Sequence, residues 1–167
     1  MTDCKNIRTI GRSSKINVAI ACVDQDPSGL TLLPLGAVTT KSFNIEGNTL
    51  EATDSFASSG FTENQMGTSS FTISVSGNYV RDAGNYPNFM FISQLLKHRF
   101  NSVKQDLSQD PVIYVEYVRA DVTIKGFMLI NSISVEDPDA EFSTFSLELS
   151  NATSPTYPIE IVDTPTA

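Results

Sequence analysis

Between Ser70 and Tyr79 the chain reads Ser-Phe-Thr-Ile-Ser-Val-Ser-Gly-Asn-Tyr, an unbroken alternation of apolar and polar residues. A period of two is the repeat of a pleated strand, so Phe71, Ile73, Val75 and Tyr79 fall on one face and Thr72, Ser74, Ser76 and Asn78 on the other. The stretch before it, Gly47 to Ser69, holds Gly, Ser, Thr, Asn and acids with only isolated apolar residues. It is expected to be a long loop, and loops of that length in compact domains are usually functional.

Strand signals recur along the chain. Ile16 to Val23 is an apolar run closed by Asp26-Pro27-Ser28-Gly29, a turn with Pro and Gly in suitable places. Leu30 to Val38 is broken by Pro34 and is expected to be an edge strand or an irregular crossing. Lys41 to Glu46 alternates with Phe43 and Ile45 inward, and after Pro111 the run Val-Ile-Tyr-Val-Glu-Tyr-Val is rich in β-branched and aromatic residues. Thr123 to Val135 is a further strand with Gly126 as a bend or bulge. Asp137-Pro138-Asp139 is a turn, and Phe142 to Leu149 alternates again with Phe145, Leu147 and Leu149 on one face.

One segment changes period. Phe89, Ile92, Leu95, Leu96, Phe100 and Val103 recur at spacings of three and four, with Ser93, Gln94, Lys97, His98, Asn101 and Lys104 opposite. This predicts an amphipathic helix over about 88–105, with Pro87 near its start and cations toward its far end. The expected fold class is mainly β (α+β): a β-sandwich or barrel of about seven strands with one docked helix, a long loop and extended terminal arms. The expected divisions are a basic N-terminal arm over 1–15, a β domain over 16–150 carrying the loop 47–69, and a Pro-containing C-terminal arm over 151–167.

A chain of 167 residues suits one domain with a real core. The net charge of −8 argues against a nucleic-acid-binding surface, which needs clustered Lys and Arg. Residues 1–15 carry +3, leaving −11 for the rest. That basic segment reads either as an arm docking on the acidic body of a neighbouring copy or as a solvated terminus. Cys4 and Cys22 are the only cysteines, and their pairing stays open. Cys22 lies in an apolar run, where a free thiol acts as a small hydrophobe. The opening Met-Thr-Asp-Cys-Lys-Asn does not read as a signal peptide, and no apolar stretch approaches the ~20 residues that cross a bilayer. A reducing cytosol, or something assembled there, is the expected setting.

The search for chemistry finds no Gly-x-Ser-x-Gly elbow, phosphate loop or Cys-x-x-Cys pair. His98 is the sole histidine, expected in solvent on the polar helix face. Asp137, Asp139, Glu141 and Glu148 have the spacing of calcium-loop positions one, three, five and twelve, but Phe142 stands where the sharp turn needs glycine. They are expected to belong to a hairpin turn. Asn151-Ala152-Thr153 fits a glycosylation sequon without a secretory context. No catalytic residue, cofactor or metal is expected. Two arms, one long loop and a stiff β body fit an assembly protein better than an enzyme.

Two blocks carry a family resemblance. The first is Glu51-Ala52-Thr53-Asp54-Ser55-Phe56-Ala57-Ser58-Ser59-Gly60-Phe61, leading into Thr68 to Val80; the second runs from Leu129 through Asp137–Glu141 and the Thr144-Phe145-Ser146-Leu147 strand to Ser150. They resemble the major tail tube protein of long non-contractile-tailed (siphovirus) bacteriophages, over roughly a third of the chain. Asn151 stands at that family's customary glycine and Phe61 at its usual tryptophan.

The resemblance implies a structural subunit whose hexameric rings stack into a hollow tube conducting viral DNA, assembled in the host cytoplasm and carried in the virion. Its implied partners are further copies of itself, a tape-measure protein, tail terminator and distal tail proteins, and DNA passing without specific binding; no membrane is implied. Inter-ring contacts are expected from Glu51, Thr53, Asp54, Phe56, Phe61 and Glu63 in the loop, and from Lys5, Arg8 and Arg12 in the basic arm. Glu46, Glu51, Asp54, Glu63 and Glu116 are candidates for an acidic lumen wall, each equally readable as a solvated outer acid. Other readings on the same scaffold are a tail-completion or effector-delivery tube protein, and a carbohydrate-binding β-sandwich module.

Overall fold

A computed structural model describes residues 13–52, 63–80, 85–104 and 110–165. The elements are β1 (Lys15–Ile20), β2 (Leu33–Pro34), β3 (Val38–Ala52), β4 (Glu63–Asn78), α1 (Ile92–Lys104), β5 (Val112–Val118), β6 (Val122–Glu136), β7 (Thr144–Asn151) and β8 (Glu160–Asp163). The expected mainly β chain with one helix is what is found. The eight strands of the described residues form one open antiparallel sheet, where about seven in a sandwich or barrel were expected, in the order β2-β1-β5-β6-β7-β4-β3, with β8 on β6 beside that path; the two ends, β2 and β3, do not pair with each other to close it.

Residue pattern explains the placing of the strands. β4 and β7 alternate and bury one face: Phe71, Ile73 and Val75 from β4, and Phe145, Leu147 and Leu149 from β7. These join Ile16, Val18, Ile113, Val115, Tyr117, Ile124, Met128 and Ile130 in the main core. β5 is apolar almost throughout because both its faces are covered. Ile113, Val115 and Tyr117 enter the main core, while Val112 and Tyr114 join Ala21 and Phe127 in a smaller cluster on the opposite face. Tyr157 and Ala152 close that second cluster, with Phe127 and Tyr157 ring centroids 6.4 Å apart. Pro34 sits on the two-residue edge strand β2, where its missing N–H costs no ladder bond.

The helix is docked on the main core through Ile92 and Leu95. Phe91 caps its start, its N–H donating to Gln94 Oε1 at 2.9 Å, the reciprocal half of a capping box. Pro87 lies in the turn before it, and Met90 is instead bridged to Leu35. The helix faces differently from the expected phase. Leu96, Phe100 and Val103 are exposed, as is Phe89 before the helix, whereas His98 is half-buried with Nε2 3.0 Å from the Val112 carbonyl. Apolar residues occupy more than one side of this helix, so spacing alone did not select the side that the sheet covers.

Three further expectations are corrected. Of the segment 47–69, read as a loop, residues 47–52 continue β3 and residues 63–69 belong to β4, paired from Gly47↔Ser69 to Ala52↔Glu63 with one irregularity between Gly47 and Thr49. Thr49 and Leu50 are both exposed although neighbours in a strand face opposite ways, and Met66 and Thr68 are exposed too, so no apolar period marks this part of the ladder and its polar sequence resembles a loop. Residues 152–165, read as part of an extended arm, lie back on the sheet: Ser154 Oγ donates to Asp24 Oδ1 at 2.6 Å, and β8 pairs with β6. Gly126 is neither bend nor bulge. It pairs regularly with Val115, and a Cβ there would come 2.7 Å from Ile159 Cγ1, so the glycine admits the returning tail.

Candidate assembly surfaces

The strands that turn Phe43, Ile73, Leu147 and Ile133 toward the core turn the residues between them to the opposite side of the sheet. Register aligns those residues into rows across four strands. Thr40 pairs with Ser76, Ser76 with Ser146 and Ser146 with Ser134; one step along, Ser42 pairs with Ser74, Ser74 with Glu148 and Glu148 with Ser132. A further row runs from Asn44 through Thr72 to Ser150, whose Oγ donates to Asn131 Oδ1 at 2.9 Å. The result is a face of hydroxyls and amides bearing the exposed carboxylates of Glu46, Glu136 and Glu148. No Lys or Arg occurs from Ser42 to Val80 or anywhere after Lys125, so none of the residues facing this side in β3, β4, β7 or the second half of β6 is basic. Only shallow open hollows mark it.

β3 closes one end of the sheet. It is 15 residues long and pairs only with β4 among the described residues, so its outer side presents a row of backbone N–H and C=O groups. Edge strands of this length are templates for pairing with another chain unless they are blunted. The other end is blunted, since β2 has two residues and one of them is Pro34.

Bases gather away from the hydroxyl face. The Arg119 guanidinium lies 5.3 Å over the Phe43 ring and 3.4 Å from Asp121, and Lys41 Nζ donates to the Ser14 carbonyl at 2.8 Å, both lining an open cleft with Tyr117. Lys125 shares the hydroxyl side of the sheet but lies farther along β6, beyond Leu129, where it stands 3.6 Å from Glu160. Near it, burial raises the Tyr114 phenol above the usual tyrosine range, with the charges of Glu116 and Glu160 adding to the effect. Among the described residues no three His, Cys, Asp or Glu converge on a point that could hold a metal, and no helix is long and apolar enough to cross a membrane.

The residues singled out from sequence are dispersed. Lys5, Arg8, Arg12, Thr53, Asp54, Phe56 and Phe61 lie outside the described residues. Glu51 and Glu63 are strand residues near the far end of the β3–β4 hairpin, opposite Asn64 and Ala52. Glu46 is exposed on the hydroxyl face and accepts from Asn44 Nδ2 at 2.6 Å. Glu116 is half-buried on β5, accepts from Asn17 Nδ2 at 3.0 Å and pairs in register with Lys125; β6, β7 and β4 separate it from β3 in the sheet. Sequence reasoning missed Glu136, Glu148 and the serine rows. A signal was present: the two base-free segments, 42–80 and 126–167, supply the strands that pair to form this face.

The chain matches no family model. No curated protein matches it by sequence. Among solved structures it superposes on a chain of the virion of the native gene transfer agent particle with a TM-score of 0.64 and 14% identity, covering 95% of this chain and 100% of that one. On the tail of the empty gene transfer agent particle, refined helically with C6 symmetry, the TM-score is 0.62 at 15% identity, over 95% and 100% of the two chains. On the SPP1 tail tube it is 0.54 at 15% identity, over 93% of this chain and 78% of that one. At these identities the likeness is one of fold.

Proposed function

We propose that this chain is a structural tail tube subunit whose copies close into rings, sixfold as in the tail of similar fold, and stack into a hollow tube. The observation that carries this reading is the four-strand hydroxyl and carboxylate face. Acids without bases repel phosphate over about a Debye length, ~8 Å at physiological salt, so such a surface passes DNA without holding it. Side by side around an axis, these faces form the lumen wall, with Glu46, Glu136 and Glu148 in it. The open edge of β3 supplies the means of lateral self-association, because backbone pairing across copies satisfies its unpaired groups.

On this reading the tube is part of a virion or virus-like particle, assembled in a host cytoplasm. A tape-measure protein occupies the lumen during assembly, terminator and distal tail proteins close the ends, and DNA leaves through it. The hairpin beyond Gly47 and the basic N-terminal arm make the ring-to-ring contacts.

Negative-stain microscopy and mass measurement on concentrated purified protein test the proposal. Rings or tubes with a central channel and sixfold mass are expected. A protein that stays monomeric at every concentration, with or without a tail initiator complex, overturns it.

A further inference from the structure

The helix leaves a second apolar stripe in solvent. Leu96, Phe100 and Val103 follow at spacings of four and three, so they share one side of α1, and they are 39%, 62% and 70% exposed. The stripe belongs to neither the main core nor the second cluster, and the hydroxyl face lies on the other side of the sheet. Soluble helices normally present charge there, so an apolar stripe of this kind marks a contact.

The chain itself carries a matching surface. Phe43 and Ile45 lie on the core side of β3, and Ile45 pairs with Phe71; past the edge of the core this side of the hairpin emerges into solvent as Ile45 and Met66, 53% and 72% exposed. Met66 lies along Gly47, its Sδ 3.5 Å from where a Cβ would stand, which lays the thioether flat on the hairpin. A flexible, polarisable methionine on a flattened ribbon suits an aromatic partner.

Charge completes the match. From Ser42 to Met66 there are only acids, Glu46, Glu51, Asp54 and Glu63, while Ile92–Lys104 contains Lys97, Arg99 and Lys104 and no acid. Both apolar surfaces are on the core side of the sheet, so their union leaves the hydroxyl face open.

We infer that the β3–β4 hairpin of one copy docks on the exposed stripe of α1 in the next, with Ile45 and Met66 against Leu96, Phe100 and Val103. This inference rests on the self-assembly proposed above and names the receiving surface. Two different patches of the same chain meet, so the contact is head-to-tail and repeats from copy to copy instead of ending at a dimer.

Disulfide cross-linking between two variants tests it, Met66→Cys and Phe100→Cys, each with Cys4→Ser and Cys22→Ser. Mixed and oxidised under assembling conditions, they should give a cross-linked dimer that neither forms alone. Phe100→Ser with Val103→Ser should raise the concentration needed for assembly at least about tenfold. Because these side chains are exposed, the unassembled variant should keep the wild-type circular dichroism. Assembly of the mixture with no Met66–Phe100 cross-link, or a dimer formed by either variant alone, overturns the docking and leaves the tube reading standing. Failure of the unsubstituted protein to assemble at all overturns both.

Discussion

Tyr114 and Gly77 show how single residues set the limits of this fold. Tyr114 is held protonated by burial and by nearby carboxylates, so its folded pKa lies above its unfolded one. Its contribution is therefore present below the ordinary tyrosine value of about 10 and is lost as pH rises through the higher folded value. Tyr114→Phe should lose less stability than wild type between about pH 9 and 11, as read by denaturant midpoints across that window. Gly77 makes a tighter demand: a Cβ there would stand 2.1 Å from the Ala37 carbonyl oxygen, in backbone that cannot swing aside. Gly77→Ala should cost about 1–3 kcal/mol by the same measurement, the range of overpacking. The first strand pattern places Gly77 in a strand, but the approach of Ala37 depends on the pairing of Val38 with Gly77, which no local pattern encodes.

At the level of elements, the helix and the long hairpin carry the same lesson in opposite directions. Leu95 and Phe100 both belong to the periodic set that marks α1, yet Leu95 is fully buried and Phe100 is exposed. Leu95→Ala should cost about 2–5 kcal/mol, whereas Phe100→Ala on the unassembled protein should stay within about 0.5 kcal/mol of wild type. Equal losses at the two positions would show that the helix docks in a different phase. Periodicity revealed that a helix exists because spacing is local; which side is inward depends on where β5 runs, through the His98–Val112 contact and the core around Ile92. In the hairpin the converse holds. Hydrogen bonds between two polar strands hold residues 47–52 against 63–69. With neither face on the core, no alternation marks the pair as strands.

Across the whole molecule, the role proposed for the segregated charge can be tested by reversing it. Ser74→Lys with Ser146→Lys places two bases on adjacent strands of the hydroxyl face, directly beside Glu148. If this face lines the channel as proposed, the change should make assembled protein retain DNA. Fluorescence anisotropy of a short duplex would then show binding that weakens with salt, with a log–log slope of about −0.9 for each phosphate engaged. Unchanged retention in intact tubes would show that this face does not line the channel. Much of this architecture was legible without coordinates. The alternation in Ser70–Tyr79 and Phe142–Leu149, the edge position of Pro34 and the turn at Asp137–Asp139 are decided by neighbours in sequence, and so was the resemblance to tube proteins. The proposed wall combines Glu46, which sequence reading offers as a wall acid, with Glu136 and with Glu148, which sequence reading sets in a hairpin. Sequence by itself determined the strands that turn one alternating face to the core, the existence of a helix after Pro87 and that the last forty or so residues hold no base. Only the tertiary structure decided which strands adjoin, because ladder pairing between β6, β7, β4 and β3 joins residues far apart in the chain. That pairing turns scattered serines and glutamates into one surface and leaves Phe100 facing solvent.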